Sequence, residues 1–158
     1  MTARALLSFL LLSTLAFAAQ PVDVIPARVS EGAVALGGWW NFKYVAGQNA
    51  GADEDFARPD FAVSTWKNIT VPGHWELQGF AEPRYADDLA DGLGLYRRNF
   101  KVSPEWRGQR VYLRFDGVLF GFKVWVNGRA VGEWASGYNP ATFDITDALR
   151  TDGGENVL

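Results

Sequence analysis

Residues 109–134 read QRVYLRFDGVLFGFKVWVNGRAVGEW and carry a strong β pattern. Apolar and polar side chains alternate from residue 111 to residue 115, a two-residue period that predicts a strand with one buried face. Asn127-Gly128 then separates two further β-like runs. This dipeptide favours a two-residue hairpin, because a type I′ turn needs positive φ at both central positions. The stretch therefore predicts three antiparallel strands.

Further strands are predicted on both sides of this stretch. Trp39–Tyr44 (WWNFKY) begins the series, with Trp40 and Phe42 on one face together with Tyr44, and a loop is expected over residues 45–62. Trp66–Val71 (WKNITV) is the next predicted strand. The pattern over residues 36–71 thus favours two more short strands and no helix.

One strand is also predicted over LYRRNFKV, residues 95–102. Tyr96 and Arg98 share one face of it with two apolar side chains, and a charge on such a face is expensive unless it is paired. We therefore expect Arg98 to be a structural arginine paired with Asp116 or Asp144.

The end of the chain continues the β pattern. ATFDITDALR reads as a strand followed by one helical turn, which Asp144 or Thr146 would cap and which ends at Leu149. GGENVL (residues 153–158) reads as a turn and the opening of an apolar strand. No long helix is predicted, so the fold class is all-β, an antiparallel β-sandwich or jelly roll. Because a domain rarely ends inside a core strand, we expect a longer polypeptide.

Composition excludes several function classes. The 158 residues have a formal net charge of −3, which gives no support for binding to nucleic acid. The chain has no cysteine and one histidine, so we expect neither a thiol nucleophile nor a zinc site, and no cofactor. Seven Trp, five Tyr and eleven Phe suit either a β-sandwich core or a protein that handles sugars.

Residues 1–18 have the pattern of a secretory signal peptide. Arg4 supplies a positive charge, an apolar stretch follows, and Ala16-Phe17-Ala18 fits the small-x-small cleavage pattern. The apolar stretch is shorter than the roughly 20 residues that span a bilayer. We expect cleavage after Ala18 and a secreted or periplasmic protein with no membrane contact afterwards; an uncleaved anchor is the alternative. Residues 19–35 form a lead-in segment, and the domain occupies residues 36–158.

Seven stretches occur together in a characteristic order: LGGWWNFKY, STWKNITVPGHWELQGF with PRY, GLYRRNFKV, RVYLRFDGV, KVWVNGRAVG, YNPATFDIT and GENVL. In this order they resemble the N-terminal sugar-binding domain of glycoside hydrolase family 2, most closely its β-galactosidase branch. The resemblance covers the chain from about Leu36 to its last residue.

The resemblance implies a galactose-binding-like jelly-roll β-sandwich that is followed by an immunoglobulin-like domain and a (β/α)₈ barrel. The barrel of such enzymes carries two glutamates for retaining hydrolysis of a β-glycosidic bond, here of a β-galactoside or a related glycoside. Both would lie beyond Leu158, so neither a catalytic residue nor a cofactor is expected in this chain. The alternatives are a free-standing carbohydrate-binding module and a purely structural sandwich.

The stretch TVPGHWELQGFAEPRY (residues 70–85) is neither helix nor single strand, because its prolines and glycines break regular structure. The resemblance implies a bridge toward a neighbouring domain, with its tip near the sugar. Pro72 and Pro83 stiffen it, and Trp75, Leu77 and Phe80 are expected to give it a small core of its own. His74 and Tyr85 belong to the same structural loop.

The resemblance also suggests sugar contacts just after this loop. In the family an asparagine two places after the tyrosine that matches Tyr85 helps to hold the galactose, but this chain has Asp87 there, followed by Asp88. A carboxylate accepts hydrogen bonds from hydroxyls and cannot donate them at neutral pH. Asp87 and Asp88 are therefore candidate substrate ligands, or else solvated loop acids.

Four other residue types in the sequence are functional candidates. His74 has no evident partner, so a structural role is expected rather than acid/base catalysis. Glu76 and Glu82 are read as rim or interface acids and not as a carboxylate pair. Trp125 is a sugar platform or, as we expect, a packed ring. Asn68 opens a glycan acceptor sequence, Asn-Ile-Thr, inside a predicted strand.

Overall fold

The computed structural model describes residues 32–47, 54–83, 92–119 and 121–158. This part of the chain is all-β, and every strand pair in it is antiparallel, as predicted. The strands are β1 (Gly38–Ala46), β2 (Lys67–Val71), β3 (Gly92–Arg97), β4 (Asn99–Phe100), β5 (Tyr112–Phe115), β6 (Phe122–Val126), β7 (Arg129–Trp134), β8 (Ala141–Asp144) and β9 (Asn156–Val157). Single-turn 3₁₀ helices occur at Glu54–Ala57, Pro104–Trp106 and Thr146–Ala148.

The first sheet has the order β2-β1-β3. Trp40 lies opposite Ile69 of β2, and Phe42 lies opposite Tyr96 of β3. The alternation predicted from WWNFKY is confirmed, because Trp40 and Phe42 are buried. Trp39, which points to the other face, is exposed. β1 extends two residues past the predicted end at Tyr44, so the expected loop over 45–62 begins later and also contains a 3₁₀ turn.

The remaining strands pair two by two: β4 with β9, β5 with β8, and β6 with β7. The β6–β7 hairpin is confirmed, with Val126 opposite Arg129 and positive φ at both turn residues, 53° for Asn127 and 82° for Gly128. Leu113 is buried and Tyr112 exposed, which confirms the alternation in β5. The jelly-roll order of connections stays a prediction.

The strand predicted over residues 95–102 is divided at Arg98. β3 pairs with β1, whereas β4 pairs with β9, so the chain changes its partner at this residue. Arg98 itself exchanges backbone hydrogen bonds with Leu158, at 2.8 Å and 2.9 Å. The pairing of GENVL with β4 confirms that this ending forms a strand.

The helical turn near the chain's end begins at Thr146 and ends at Ala148, one residue before the predicted end. Its N-cap residue is Ile145, which offers no side-chain acceptor, so the prediction that Asp144 or Thr146 is the cap was wrong. Asp144 still accepts a hydrogen bond from the Thr146 backbone N–H at 3.0 Å. Thr146 in turn accepts one from the Val111 backbone N–H, which ties the turn to the start of β5.

The buried apolar side chains form two clusters. Trp40, Phe42 and Ile69 make one, and Leu113, Val124, Val126 and Ile145 make the other. Leu36 and Leu158 pack against both. No helix among the described residues has the length and apolarity required to cross a bilayer.

Candidate functional site

The segment from Pro72 to Pro83 leaves β2 and folds back over the buried face of the first sheet. The Trp75 ring lies 6.0 Å from Phe42 and 5.7 Å from Tyr44, centroid to centroid. Phe80 meets Phe42 edge to face at 4.6 Å. Two of the three predicted core residues of this loop, Trp75 and Phe80, therefore pack on the sheet and extend the main core.

Leu77 is the exception, because its side chain is 78% exposed. The prediction that it joins a core of the loop was wrong. The turn between Trp75 and Phe80 is closed by the Phe80 N–H, which donates to the Trp75 carbonyl at 3.0 Å. Both ring-bearing residues are thereby turned toward the sheet, and the residue at the tip of the turn points to solvent.

The Gln78 side chain holds this segment against the edge of the sheet. Its Oε1 accepts from the Thr70 backbone N–H at 2.8 Å, and its Nε2 donates to the Thr70 carbonyl at 3.0 Å. β2 is the edge strand, whose outward backbone groups would otherwise be open to another chain. The Gln78 amide therefore satisfies the outward backbone groups of Thr70 and at the same time fixes the loop to β2.

His74 and Pro72 are exposed at the start of the segment, and Pro83 is exposed at its end. The His74 imidazole forms no hydrogen bond or ion pair with any residue that the structure describes. Only its backbone carbonyl is engaged, in a long contact of 3.5 Å from Gln78 Nε2. No partner orients the ring for proton transfer within the described ranges, and a structural role remains the prediction for His74.

Glu76 is bound within the same segment. Its Oε1 accepts a hydrogen bond from the Trp75 indole N–H. Burial, with a smaller contribution from the negative charge of Glu76, raises the pKa of Tyr96 to about 12. Glu82 is exposed near the end of the segment. The carboxylate of Glu76 therefore helps to hold the Trp75 ring against β1 and β3.

Tyr85, Asp87 and Asp88 lie outside the described residues, so their contact with substrate stays a prediction. β3 begins beneath the rings of Tyr44, Trp75 and Phe42. A side chain at Gly92 would collide with Tyr44, and one at Gly94 would collide with Trp75 and Phe42. Absence of a side chain at these glycines lets the aromatic rings lie directly on the backbone of β3.

Arg98 is bound in a different way from the one predicted. Its guanidinium donates to the carbonyl oxygens of Leu36 at 3.0 Å and Gly37 at 2.6 Å, and lies 5.9 Å from the centre of the Trp40 ring. The expected carboxylate partners are engaged elsewhere: Asp116 pairs with Arg114 and Asp144 with Arg110. Backbone carbonyls just before β1 supply the acceptors in place of a carboxylate.

Arg97 is the buried arginine that the pattern of the sequence did not single out. Only 4% of its surface is exposed, and it donates to the carbonyls of Phe56, Arg58 and Pro59 at 2.5, 2.7 and 2.8 Å. Burial lowers its pKa. Arg97 lies on the strand face opposite to Tyr96, and the segment from Phe56 to Pro59 covers its guanidinium.

Trp125 of β6 packs against the same covering segment. Its ring meets Phe56 edge to face at 5.5 Å, and Trp66 lies 6.2 Å from Phe56 on another side. This contact is the packing that we expected for Trp125, and the platform alternative stays a prediction. Among the described residues, no group of three or more His, Asp or Glu is arranged to hold a metal ion.

Residues 34–158 match the family profile "Glycosyl hydrolases family 2, sugar binding domain". Among curated proteins, the chain is 36% identical over 141 residues to a β-galactosidase of Priestia megaterium, and 35% identical over 140 residues to one of Clostridium acetobutylicum. Each match covers 78% of this chain, but only 13% and 15% of the relative's length. The chain thus spans about a seventh of these relatives.

Solved structures of β-glucuronidases contain the same fold. A calcium-binding mutant of β-glucuronidase 2 from Bacteroides uniformis aligns with a TM-score of 0.63 at 27% identity, covering 78% of this chain and 14% of that one. The β-glucuronidase of Bifidobacterium dentium, complexed with coumarin-3-O-glucuronide, aligns with a TM-score of 0.60 at 27% identity, covering 77% and 18%. The all-β architecture is that of N-terminal domains of these glycosidases. The chain belongs to the sugar binding domain family of the family 2 glycosyl hydrolases.

Proposed function

We propose that this chain is the non-catalytic N-terminal domain of an exported, retaining β-glycosidase of the β-galactosidase type. The observation that carries the proposal is the match over residues 34–158, together with 36% identity to a β-galactosidase. The enzyme's carboxylate pair would belong to a (β/α)₈ barrel, with an immunoglobulin-like domain between the barrel and this one. The role of the chain is then to support the barrel and to shape one wall of the substrate pocket.

The described carboxylates support a non-catalytic role. Retaining glycosidases need two carboxyl groups about 5 Å apart. Glu76 accepts the Trp75 indole N–H, and Asp60, Asp116 and Asp144 are each bound to an arginine at the surface. These acids are used for local structure and not as a facing pair.

The segment Pro72–Pro83 is the part that we assign to the domain interface. Its rings are anchored on β1 and its Gln78 side chain binds the Thr70 backbone, so the segment that precedes residues 84–91 is fixed to the sheet. We place the sugar contact in those residues, at Asp87 or Asp88 after Tyr85. A fixed base keeps such a contact at one distance from the reacting bond, which is what positioning requires.

The galactosidase assignment follows the curated relatives, whereas the structural neighbours carry the name β-glucuronidase. The test is to assay the purified 158-residue chain, and the enzyme that carries it, with aryl β-galactosides and aryl β-glucuronides. We expect no turnover by the chain with either substrate, and preferential cleavage of galactosides by the enzyme. Turnover by the chain contradicts the non-catalytic role, and preference for glucuronides contradicts the galactosidase type.

Export is part of the same proposal and rests on residues 1–18 alone. The N-terminal residue of the mature protein, read by mass spectrometry after expression in a secreting host, should be Ala19. A mature protein that retains Met1 and stays in the cytoplasm contradicts export.

A further inference from the structure

The outward face of the first sheet carries an exposed tryptophan. Trp39 of β1 is 65% exposed, while the adjacent Trp40 is buried on the opposite face. Tryptophan is on average a well-buried residue, so a largely bare indole in a strand pair is unusual, here one residue after the start of β1. The indole lies on the face opposite to Phe42 and the Trp75 segment, because side chains alternate along the strand.

The register of β1 and β2 sets polar residues beside this ring. Thr70 lies opposite Trp39, and Asn68 lies opposite Asn41. The N–H and C=O groups of Thr70 bind Gln78 at the outer edge, so they point away from β1. The Trp39–Thr70 and Asn41–Asn68 pairs are therefore of the non-hydrogen-bonded kind, in which facing side chains lie closest, with Cβ atoms about 4.5–5.5 Å apart.

The two asparagine amides are uncommitted within the described part of the chain. No described residue forms a hydrogen bond with the side chain of Asn41 or Asn68, and neither amide is enclosed away from solvent. Each offers two donors and an acceptor, as hydroxyl groups require. A bare ring next to two open carboxamides thus lies on one face of one sheet.

We propose that Trp39, Asn41, Asn68 and Thr70 form a binding platform for a neutral pyranose of an oligosaccharide. A pyranose has an apolar C–H face that matches a flat indole, and a rim of hydroxyls that matches paired carboxamides. A protein-binding surface would instead need a wide apolar core. Here a single ring is bordered by neutral polar groups on the side of β2, while on the side of β3 the segment from Phe56 to Pro59 covers Arg97, which lies opposite Asn41. The platform goes beyond the proposed function, since it is a saccharide site of this chain that needs no barrel.

The backbone under the platform is held from both sides. Gln78 clips Thr70 at the edge of β2, and the Arg98 guanidinium lies 3.4 Å from the Trp39 carbonyl oxygen on the side of β3. The ring and amides are consequently presented by a rigid surface, and binding a sugar would order few groups. Preorganised sites of this kind lose less entropy on binding.

The test is titration of the purified chain with β-1,4-linked galactotetraose, followed by calorimetry and by tryptophan fluorescence. Trp39→Ala should weaken binding roughly tenfold or more, and Trp39→Tyr should retain part of it because a flat ring remains. Asn68→Ala should weaken binding several-fold. Tyr138→Ala is the matched control: this aromatic residue is 88% exposed, in the loop after β7, and its removal should leave the titration unchanged.

Each remaining outcome overturns the platform. Unaltered binding by Trp39→Ala, or no detectable binding of the saccharide by the unmodified chain, excludes a sugar site at this face. Sedimentation that shows a dimer dissolved by Trp39→Ala, without saccharide binding, assigns the face to a second copy of the chain. Hydrolytic assays are independent of this titration, so failure of the platform and failure of the proposed enzyme role are distinguishable.

Discussion

Two neighbouring arginines show how much one position matters in this fold. Arg97 and Arg98 point to opposite faces of the strand, and both guanidinium groups bind backbone carbonyls. Arg97 is enclosed by the segment from Phe56 to Pro59, whereas Arg98 binds the backbone of Leu36 and Gly37 just before β1. The planar guanidinium has five donors in a fixed fork, which lets one side chain satisfy several carbonyls that secondary structure leaves unpaired.

Arg97→Ala should destabilise the protein by roughly 2–4 kcal/mol, because the carbonyls of residues 56, 58 and 59 lose their donor in a buried place. Urea unfolding measures the change. Arg107→Ala is the control, since this arginine is exposed, and it should change stability by less than about 0.5 kcal/mol. An equally small effect at Arg97 would mean that the covering segment does not depend on it.

Tyr96 provides a pH-dependent prediction. Burial and the charge of Glu76 raise its pKa from 10.0 to about 12, so the fold favours the neutral phenol. The stability that this provides is fully present below pH 10.0 and is lost as the pH rises through about 12. Unfolding free energy measured across this range should fall, and Tyr96→Phe should lessen the fall.

The control is Glu76→Gln, which removes the charge while keeping the size of the side chain. The pKa of Tyr96, followed by tyrosinate absorbance, should then lie below that in the unmodified protein. If the late titration persists unchanged in Tyr96→Phe, another group is responsible and the assignment is wrong.

At the scale of elements, the β6–β7 turn is joined to β9 by two asparagine amides, that of half-buried Asn127 and that of buried Asn156. Asn127 Nδ2 donates to the Ala148 carbonyl and to Asn156 Oδ1, at 2.7 and 2.8 Å, and its Oδ1 accepts from the Val157 N–H at 2.8 Å. Asn156 is fully buried and also holds the backbone of Arg150. The hairpin turn therefore has a second task, which is to fix β9.

Asn127→Asp should destabilise the protein by about 2 kcal/mol or more, because a carboxylate cannot donate and would face two oxygen atoms. Thermal unfolding together with amide exchange at Val157 measures the effect. Asn68→Asp, the same change at an exposed strand position, is the control and should have little effect on stability. Equal effects of both substitutions would contradict the amide link.

At the scale of the whole molecule, two clusters of apolar side chains share two residues that pack against both of them. Leu36 precedes β1 and Leu158 follows β9, and each packs against both clusters. β9 itself pairs with β4, which continues the line of β3. The first and last described elements thus join the sheets into one unit that is expected to unfold cooperatively.

Leu158→Ala should cost roughly 2 kcal/mol and leave a single unfolding transition, since it removes packing from both clusters at once. Circular dichroism and tryptophan fluorescence should report the same midpoint. Leu77→Ala is the control, because this leucine is 78% exposed. Two separate midpoints in Leu158→Ala would show that the clusters depend on this residue to unfold together.

Local patterns predicted the strands well and the partners of charged residues poorly. The structures of WWNFKY, WKNITV and the Asn127-Gly128 hairpin are each predicted by a pattern within a few adjacent residues. The burial of Arg97 depends on a segment about forty residues earlier in the chain, and no local sequence period predicts that contact. The same holds for Leu77, whose apolar side chain is turned outward by the hydrogen bonds of the surrounding turn.

The sequence by itself determined the all-β class, the antiparallel hairpin and the family, because these depend on short-range alternation, turn chemistry and the order of motifs. The tertiary structure alone decided which arginine is buried, that Trp75 lies on Phe42 and Tyr44, and that Trp39 remains bare beside two open amides. These features arise from contacts between segments far apart in the chain. Sheet register and the covering segments, and not the residues' own propensities, set such contacts.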